Sequence, residues 1–159
     1  MIIKKNFFNF FFILGIFLTD RLSKYLIIEF DKTNVEPEYT ILPFLNFNLI
    51  WNEGIAFGLF SFADKSNYNI LTIIIIFVTA IIFWMIIKTK ELEKLGFMMI
   101  FGGSLGNIFD RVYYSSVPDF IDIHFYNFHW FIFNVADIFI SLGVLLLIYS
   151  ELILKKNYE

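Results

Sequence analysis

An apolar stretch of this chain closes with Gly102-Gly103-Ser104-Leu105-Gly106-Asn107-Ile108-Phe109-Asp110-Arg111. The whole stretch covers about residues 95–112, which is long enough to cross roughly 30 Å of hydrocarbon as a helix. A charged side chain inside a membrane helix costs at least about 2.5 kcal/mol on insertion scales, so it usually has a function there. The sequence therefore predicts a membrane helix with functional polar groups at one end.

Three further apolar stretches have the length of a membrane helix, and they cover about residues 7–28, 68–87 and 135–154. The first is interrupted by Asp20 and Lys24, and the last carries Asp137 near its start. Charged residues in membrane helices face the protein interior or a water-filled site. We therefore expect a single membrane domain over residues 1–159, mainly α-helical, with four transmembrane helices.

The composition excludes an ordinary soluble domain. Of the 159 residues, 58% are hydrophobic and 17% are charged, whereas a soluble domain has roughly 45–50% and about 25%. The net charge of −3 gives no argument for a nucleic acid or another polyanion as a partner. The chain has no cysteine, which excludes disulfides, thiol nucleophiles and thiolate metal sites.

The lysines between the apolar stretches predict the orientation in the membrane. Most of them fall on one side, and these are Lys4, Lys5, Lys88, Lys90, Lys94, Lys155 and Lys156. Only Lys32 and Lys65 fall on the other side, and short loops rich in basic residues stay in the cytoplasm. We expect both termini in the cytoplasm, outer loops over about residues 29–67 and 113–134, and the charged groups gathered toward the outer face.

Two segments of the outer loops have the composition of β-strands. Residues 44–52 and 121–126 are rich in aromatic and branched side chains and partly alternate with polar ones. We expect a small β-rich cradle at the outer membrane surface. Gly54 and Gly58 follow the first segment and are candidate hinge points of this cradle.

The glycines of the opening stretch have a structural explanation that does not extend to its polar residues. Gly102 and Gly106 form a Gly-x-x-x-Gly pattern, which favours close helix packing. Asn107 and Asp110 are three residues apart and therefore share one helical face, yet packing needs neither of them. Asp110 beside Arg111 has two explanations. The two residues form an ion pair that ends the helix, or Asp110 orients other groups in a network. The second role suits Asp110 because a neighbouring guanidinium favours the ionised form of a carboxyl group.

Two more aspartates follow at the same predicted depth. Asp119, in Val117-Pro118-Asp119-Phe120, is explained as a turn or cap residue, because aspartate is common in turns. Asp137, in Phe133-Asn134-Val135-Ala136-Asp137, lies where a carboxylate stabilises a helix N-terminus, with Asn134 as the N-cap. These explanations do not account for the convergence of the two carboxylates.

Other catalytic chemistries lack their residues in this sequence. His124 and His129 are five residues apart and no His-Glu-x-x-His pattern occurs, so we expect neither a metal site nor a cofactor. Ser104 and Ser141 lie in apolar stretches without a nearby histidine or lysine, which disfavours a serine nucleophile. If the chain is an enzyme, paired carboxylates remain.

Paired aspartates hydrolyse peptide bonds without a metal or a cofactor. Two close carboxyl groups cannot both ionise freely, so one of them holds a proton. The ionised member takes a proton from an attacking water, and the protonated member polarises the carbonyl or protonates the leaving nitrogen. The residues alone do not separate Asp119 from Asp110 as the partner of Asp137.

Five polar motifs occur in order along the chain. They are Asp20-Arg21-Leu22-Ser23-Lys24, Asn52-Glu53-Gly54-Ile55-Ala56-Phe57-Gly58, the opening Gly102–Arg111 stretch, Val117-Pro118-Asp119-Phe120 and Phe133-Asn134-Val135-Ala136-Asp137. On these motifs and the four predicted spans, the chain resembles the lipoprotein signal peptidases, also called signal peptidase II. The resemblance covers nearly the whole chain.

The resemblance implies an aspartic endopeptidase of a bacterial plasma (inner) membrane, with Asp119 and Asp137 as the catalytic pair. It implies supporting or substrate-binding roles for nine further residues, and these are Asp20, Lys24, Asn52, Gly54, Asn107, Asp110, Arg111, Asn134 and Ala136. The implied substrate is a prolipoprotein with a diacylglyceryl-cysteine, cut just before that cysteine. Membrane lipid is the expected surrounding, and a monomer is expected.

Two other classes of protein compete with this resemblance. A small proton- or ion-coupled transporter uses intramembrane acids as carriers, but it predicts polar residues near the midplane, whereas these acids gather at one face. A structural membrane scaffold explains the Gly-x-x-x-Gly pattern but none of the polar motifs. The transporter stays as the alternative.

Overall fold

The structure is a computed structural model that describes residues 2–33, 39–54, 65–89, 91–126 and 128–154. Within these ranges the chain forms four long helices and four strands. The helices are α1 (Ile2–Thr33), α2 (Lys65–Lys88), α3 (Glu91–Tyr114) and α4 (Val135–Tyr149). The strands are β1 (Tyr39–Leu42), β2 (Leu45–Asn52), β3 (Val117–Phe125) and β4 (Phe128–Phe133).

The helices differ from the predicted stretches mainly at their ends. An outer loop is expected from residue 29, but α1 continues to Thr33. Its last turn is held because Lys32 Nζ donates a hydrogen bond to Glu29 Oε1 (2.6 Å) and the Thr33 hydroxyl donates to the Phe30 carbonyl (2.9 Å). At the other end of the chain, a π-helical turn over Ser150–Leu154 continues α4.

Glycines set the spacing between α3 and two of its neighbours. Gly102 faces α1, where an added Cβ would lie 3.0 Å from the Ile16 side chain. Gly103 faces α4, where an added Cβ would lie 2.6 Å from the Ala136 carbonyl oxygen. The predicted role of the glycine-rich stretch in close helix packing is therefore confirmed. As a result α3 lies at the centre of the molecule, packed against α1, α2 and α4.

The four strands form one antiparallel sheet in the order β1-β2-β3-β4. The strands predicted at residues 44–52 and 121–126 are confirmed as β2 and β3. However, β3 begins earlier, at Val117, and within it Asp119 pairs with Ile50 of β2. The explanation of Asp119 as a turn or cap residue is wrong, because this residue lies inside a strand and is only 4% exposed.

Polar and apolar side chains are distributed in the opposite way to those of a soluble protein. Large apolar side chains are exposed along all four helices, for example Ile73 on α2 and Leu145 on α4, whereas Asp110 is fully buried. Two helical segments, Tyr68–Lys88 and Val135–Leu152, are long and apolar enough to cross a membrane. A continuous apolar surface of this kind is suited to lipid rather than water.

Candidate active site

Asp119 and Asp137 line one small cavity where the sheet meets the helices. Asp119 lies on β3, and Asp137 is the third residue of α4. The cavity has a volume of about 180 Å³, and its walls come from the sheet, α2, α3 and α4. Its polar lining consists of Asn52, Ser104, Asn107, Arg111, Asp119, Asn134 and Asp137. The fold thus brings together two carboxylates from different elements.

Asn134 contacts both of these carboxylates. Its side-chain Nδ2 donates a hydrogen bond to Asp119 Oδ1 (2.6 Å), and its backbone N–H donates to Asp137 Oδ2 (3.2 Å). Its Oδ1 accepts from the backbone N–H of Asp137 (3.1 Å), so Asn134 is the N-cap of α4, as predicted, and forms a capping box. One asparagine therefore fixes the start of the helix and the relative position of the carboxylates.

A chain of three residues holds the other oxygen of Asp119. Asn52 Nδ2 donates to Asp119 Oδ2 (2.8 Å), and Asn52 Oδ1 accepts from the backbone N–H of Gly54 (2.8 Å). The Gly54 carbonyl in turn accepts a hydrogen bond from Arg111 Nη2 (2.9 Å). Because both Asp119 oxygens accept from asparagine amides, this side chain is held in one orientation.

Asn107 connects Asp137 to a buried cluster of charges. Its Nδ2 donates to Asp137 Oδ1 (2.9 Å), and its Oδ1 accepts from Lys24 Nζ (2.8 Å). The same ammonium donates to Asp110 Oδ2 (2.7 Å) and lies 3.1 Å from Asp20 Oδ2. Lys24 thereby fixes which way the Asn107 amide points, and the amide in turn presents a donor to Asp137.

The buried charge cluster consists of two carboxylates and two cations, namely Asp20, Asp110, Arg21 and Lys24. Arg21 donates to both Asp110 oxygens, with Nη2–Oδ2 at 2.7 Å, and also to Asp20 Oδ2 at 2.7 Å. Its guanidinium lies 4.9 Å from the centre of the Phe109 ring, a cation–π distance. The charges balance and each has a hydrogen-bonded partner, which is what burial of charge requires.

Asp20 also joins α1 to the start of α4. Its Oδ1 accepts a hydrogen bond from the backbone N–H of Ala136 (2.9 Å), and a carboxylate at a helix N-terminus is favoured by the helix dipole. Its Oδ2 occupies the space where a side chain at position 106 would begin. Gly106 is therefore required by the Asp20 carboxylate, in addition to its place in the packing pattern.

Asp110 lies in a hydrogen-bonded network, which is one of the two explanations given for it, and the other explanation, an ion pair with Arg111 that ends the helix, is wrong. Asp110 pairs with Arg21 and Lys24 of α1, while Arg111 donates to the Gly54 carbonyl. Adjacent residues on a helix point about 100° apart, so these two reach different elements. Arg21 was not selected from the sequence, although a charged residue within an apolar stretch is the signal that selected Asp20 and Lys24.

All eleven residues predicted for the site lie in one connected group. Each makes a hydrogen bond or an ion pair with another member. The links are Ala136–Asp20–Lys24–Asp110, Lys24–Asn107–Asp137–Asn134–Asp119 and Asp119–Asn52–Gly54–Arg111. Gly58, the second candidate hinge, lies outside the described residues. Lys90, Lys155 and Lys156, three of the lysines that predict the orientation in the membrane, also lie outside the described residues.

The Asp119 carboxyl has an unusual acidity. Burial raises the pKa of Asp119 to about 6, and the neighbouring Asp137 charge acts in the same direction. The hydrogen bonds from Asn52 and Asn134 act in the opposite direction, because they stabilise the ionised form. Asp119 therefore keeps its proton to a higher pH than an ordinary aspartic acid.

Fold and site together define a helical membrane protein with a pair of carboxylates that line one cavity at the junction of helices and sheet. The chain belongs to the signal peptidase II family, since the family model described as signal peptidase (SPase) II matches residues 12–153. The resemblance found in the sequence motifs is confirmed.

Individual relatives agree with this membership. The chain is 48% identical over 158 residues to the lipoprotein signal peptidase of Pelagibacter ubique, covering 98% of this chain and 95% of the relative. It is 41% identical over 146 residues to that of Wigglesworthia glossinidia brevipalpis, covering 91% and 94%. A solved bacterial membrane enzyme matches with a TM-score of 0.76 and 29% identity, over 95% of this chain and 91% of the other.

Proposed function

We propose that this chain is an aspartic endopeptidase that removes the signal peptide from prolipoproteins by cutting before a diacylglyceryl-modified cysteine. The observation that carries the proposal is the contact of Asn134 with both Asp119 and Asp137 at one cavity. Membership of the signal peptidase II family and relatives named lipoprotein signal peptidase support the reaction and the substrate class.

The two carboxyl groups act on one water molecule. The ionised carboxylate takes a proton from the water as its oxygen attacks the carbonyl carbon, and the protonated carboxyl gives its proton to the carbonyl oxygen. The carbon–nitrogen bond then breaks, the nitrogen takes up the proton removed from water, and the second carboxylate recovers its own. The products are a signal peptide with a free carboxyl end and a lipoprotein with a free amino group on its cysteine.

The resting pair shares one proton, because two close carboxyl groups cannot both ionise freely. Burial and the neighbouring Asp137 charge raise the pKa of Asp119 to about 6. Asp137 accepts hydrogen bonds from Asn107 Nδ2 and from the Asn134 backbone N–H, and it lies at a helix N-terminus, where negative charge is stabilised. Either carboxylate can act as the base once the other holds the proton, and Asn107, Asn134 and Asn52 position the pair.

The membrane arrangement of the proposal follows from the exposed apolar surface and the lysines. All four helices cross a bacterial plasma (inner) membrane, with the sheet and the dyad at the outer face and both termini in the cytoplasm. Lys88 and Lys94 lie at the helix ends opposite the sheet, as the positive-inside rule requires of a cytoplasmic side. Lipid surrounds one domain of 159 residues, which works as a monomer.

The Asn134→Ser variant separates the capping role of this residue from its role in the dyad. Serine caps a helix as well as asparagine does, but it lacks the Nδ2 donor that Asp119 accepts from. We expect the free energy of unfolding to fall by about 1–3 kcal/mol, the cost of removing a hydrogen bond to a buried group, while kcat falls on the order of 10²-fold because the carboxyl is misplaced. Thermal unfolding and initial rates in one detergent measure both, and an unchanged kcat contradicts the positioning role.

Cleavage of a diacylglyceryl-modified prolipoprotein by the purified chain in detergent tests the function. Mass spectrometry is expected to find the new amino terminus at the lipidated cysteine.

The rate of cleavage is expected to depend on pH. As the pH rises through about 6 the Asp119 carboxyl loses its proton, so kcat/KM is expected to fall about tenfold per pH unit above that value. A rate that rises through this pH contradicts the need for a proton on the Asp119–Asp137 pair, and gradient-driven ion flux without cleavage favours the transporter.

A further inference from the structure

We infer that Ser104 is a specificity-determining residue, whose hydroxyl forms a hydrogen bond with a hydroxyl-bearing side chain on the substrate residue just before the cleaved bond. The inference deepens the proposed function and rests on it, because it assigns a preference at one position of the same substrate. It depends on the place of Ser104 in the active-site cavity, on its free hydroxyl and on its depth relative to the dyad.

Ser104 lies on the helical face that carries two other residues of the site. Asn107 and Arg111 follow it by three and seven residues on α3, so the three share one side of the helix. All three line the cavity that contains the dyad. Ser104 is partly exposed, whereas the preceding Gly103 is buried against α4. The side chain of Ser104 therefore points into the cavity.

Ser104 is the one polar side chain of this lining that makes no hydrogen bond within the described part of the chain. The asparagines, the arginine and both aspartates of the lining are held by hydrogen bonds to other groups of the protein. A hydroxyl in the middle of a helix often bonds back to the carbonyl four residues earlier, and those of Thr72 and Thr79 do so (3.0 and 2.8 Å). Because Ser104 makes no such bond to a described residue, its hydroxyl is available to a bound substrate.

The other walls of the cavity give a substrate hydroxyl a reason to bind Ser104. The apolar residues of the lining are Ile75, Val117 and Ile140. A cavity of about 180 Å³ holds only a few water molecules, so a hydroxyl that enters it loses most of its hydration and needs a hydrogen-bond partner in the protein. A methyl group in the same place needs none. The free hydroxyl of Ser104 therefore favours a substrate side chain that carries a hydroxyl over an alkyl side chain of the same size.

The depth of Ser104 matches the position of the residue before the cut. Asn107 Nδ2 donates to Asp137 Oδ1 (2.9 Å), and Ser104 lies three residues earlier on α3, which is about 4.5 Å further from the outer face. The substrate residues that precede the cut belong to the signal peptide, so they leave the dyad in this same direction. A serine hydroxyl lies three bonds from the carbonyl carbon that is attacked, within reach of a hydrogen bond to Ser104.

A double-mutant cycle between enzyme and substrate tests this contact. Two lipidated prolipoproteins differ only in the residue before the cysteine, which is serine in one and 2-aminobutyrate, with a methyl group in place of the hydroxyl, in the other. We expect the ratio of kcat/KM for serine to that for 2-aminobutyrate to be about threefold to tenfold higher in wild type than in Ser104→Ala. Normal cleavage of the 2-aminobutyrate substrate reports that the variant is folded.

Two further variants complete the test. Ser104→Gly also lacks the hydroxyl and is expected to show the same loss of preference as Ser104→Ala. Ser141→Ala makes the same change on α4 at an exposed serine outside the cavity lining, and it is expected to keep the wild-type ratio. An unchanged ratio in both Ser104 variants, or an equal change in Ser141→Ala, overturns the contact and leaves the peptidase intact. If wild type cleaves neither substrate, the proposed function fails first.

Discussion

The Asp119→Asn and Asp137→Asn variants are each expected to lose cleavage of a diacylglyceryl-modified prolipoprotein by on the order of 10²–10⁴-fold. Asparagine keeps the size of aspartate but cannot exchange a proton with water or with the scissile peptide. Because the two carboxyl groups act as one unit, the double variant is expected to lose little more than either single variant. Initial rates and thermal unfolding in the same detergent measure activity and folding side by side.

Asp122→Asn provides a matched control on the same strand as Asp119. Asp122 is 1% exposed, and its Oδ2 lies 2.7 Å from Nδ1 of His129. This variant removes an equally buried carboxylate without touching the dyad, so it is expected to keep its activity. A loss as large as that of Asp119→Asn would show that damage to β3, rather than lost acid–base chemistry, explains both results. If folded Asp119→Asn cleaves the substrate and folded Asp110→Asn does not, then Asp110 rather than Asp119 is the catalytic partner of Asp137.

The features that the sequence predicted well are those encoded by neighbouring residues. Apolar length predicts the helices, the Gly102–Gly106 pattern predicts close packing, and alternation predicts β2 and β3. The N-cap role of Asn134 is equally local, because it depends on the next three residues. Each of these features follows from periodicity or from a short motif, and the structure contains all of them.

The features that the sequence predicted badly depend on contacts between distant elements. Asp110 and Arg111 are adjacent in sequence, but Asp110 contacts α1 and Arg111 contacts the segment after β2. The turn explanation of Asp119 fails because the strand that contains this residue is defined by its pairing with β2, and pairing has no local signature here. The choice of Asp119 over Asp110 came from the family motifs, since periodicity gave no reason to prefer either.

Removal of one member of the buried charge cluster is expected to cause the largest loss of stability in the molecule. In Asp110→Leu, Lys24 and Arg21 keep only Asp20 as a carboxylate partner, so one positive charge is left uncompensated. Lys24 is 1% exposed and Asp110 is fully buried. An uncompensated charge at such a site costs about 3–5 kcal/mol, and Lys24→Met, which leaves an excess negative charge, is expected to cost a similar amount. Unfolding of the detergent-solubilised protein measures both.

The Lys24→Met/Asp110→Leu double variant distinguishes charge imbalance from loss of particular contacts. It leaves Arg21 and Asp20 as a one-to-one pair with Nη2–Oδ2 at 2.7 Å, so it is expected to recover part of the stability lost by either single variant, with a coupling energy of about 0.5–3 kcal/mol. Strictly additive losses would contradict the charge-balance explanation.

Activity is not expected to recover in this double variant, because Lys24 Nζ also donates to Asn107 Oδ1 (2.8 Å), and Asn107 donates to Asp137. A stable but inactive double variant would therefore identify Lys24 as the residue through which the buried cluster positions the dyad.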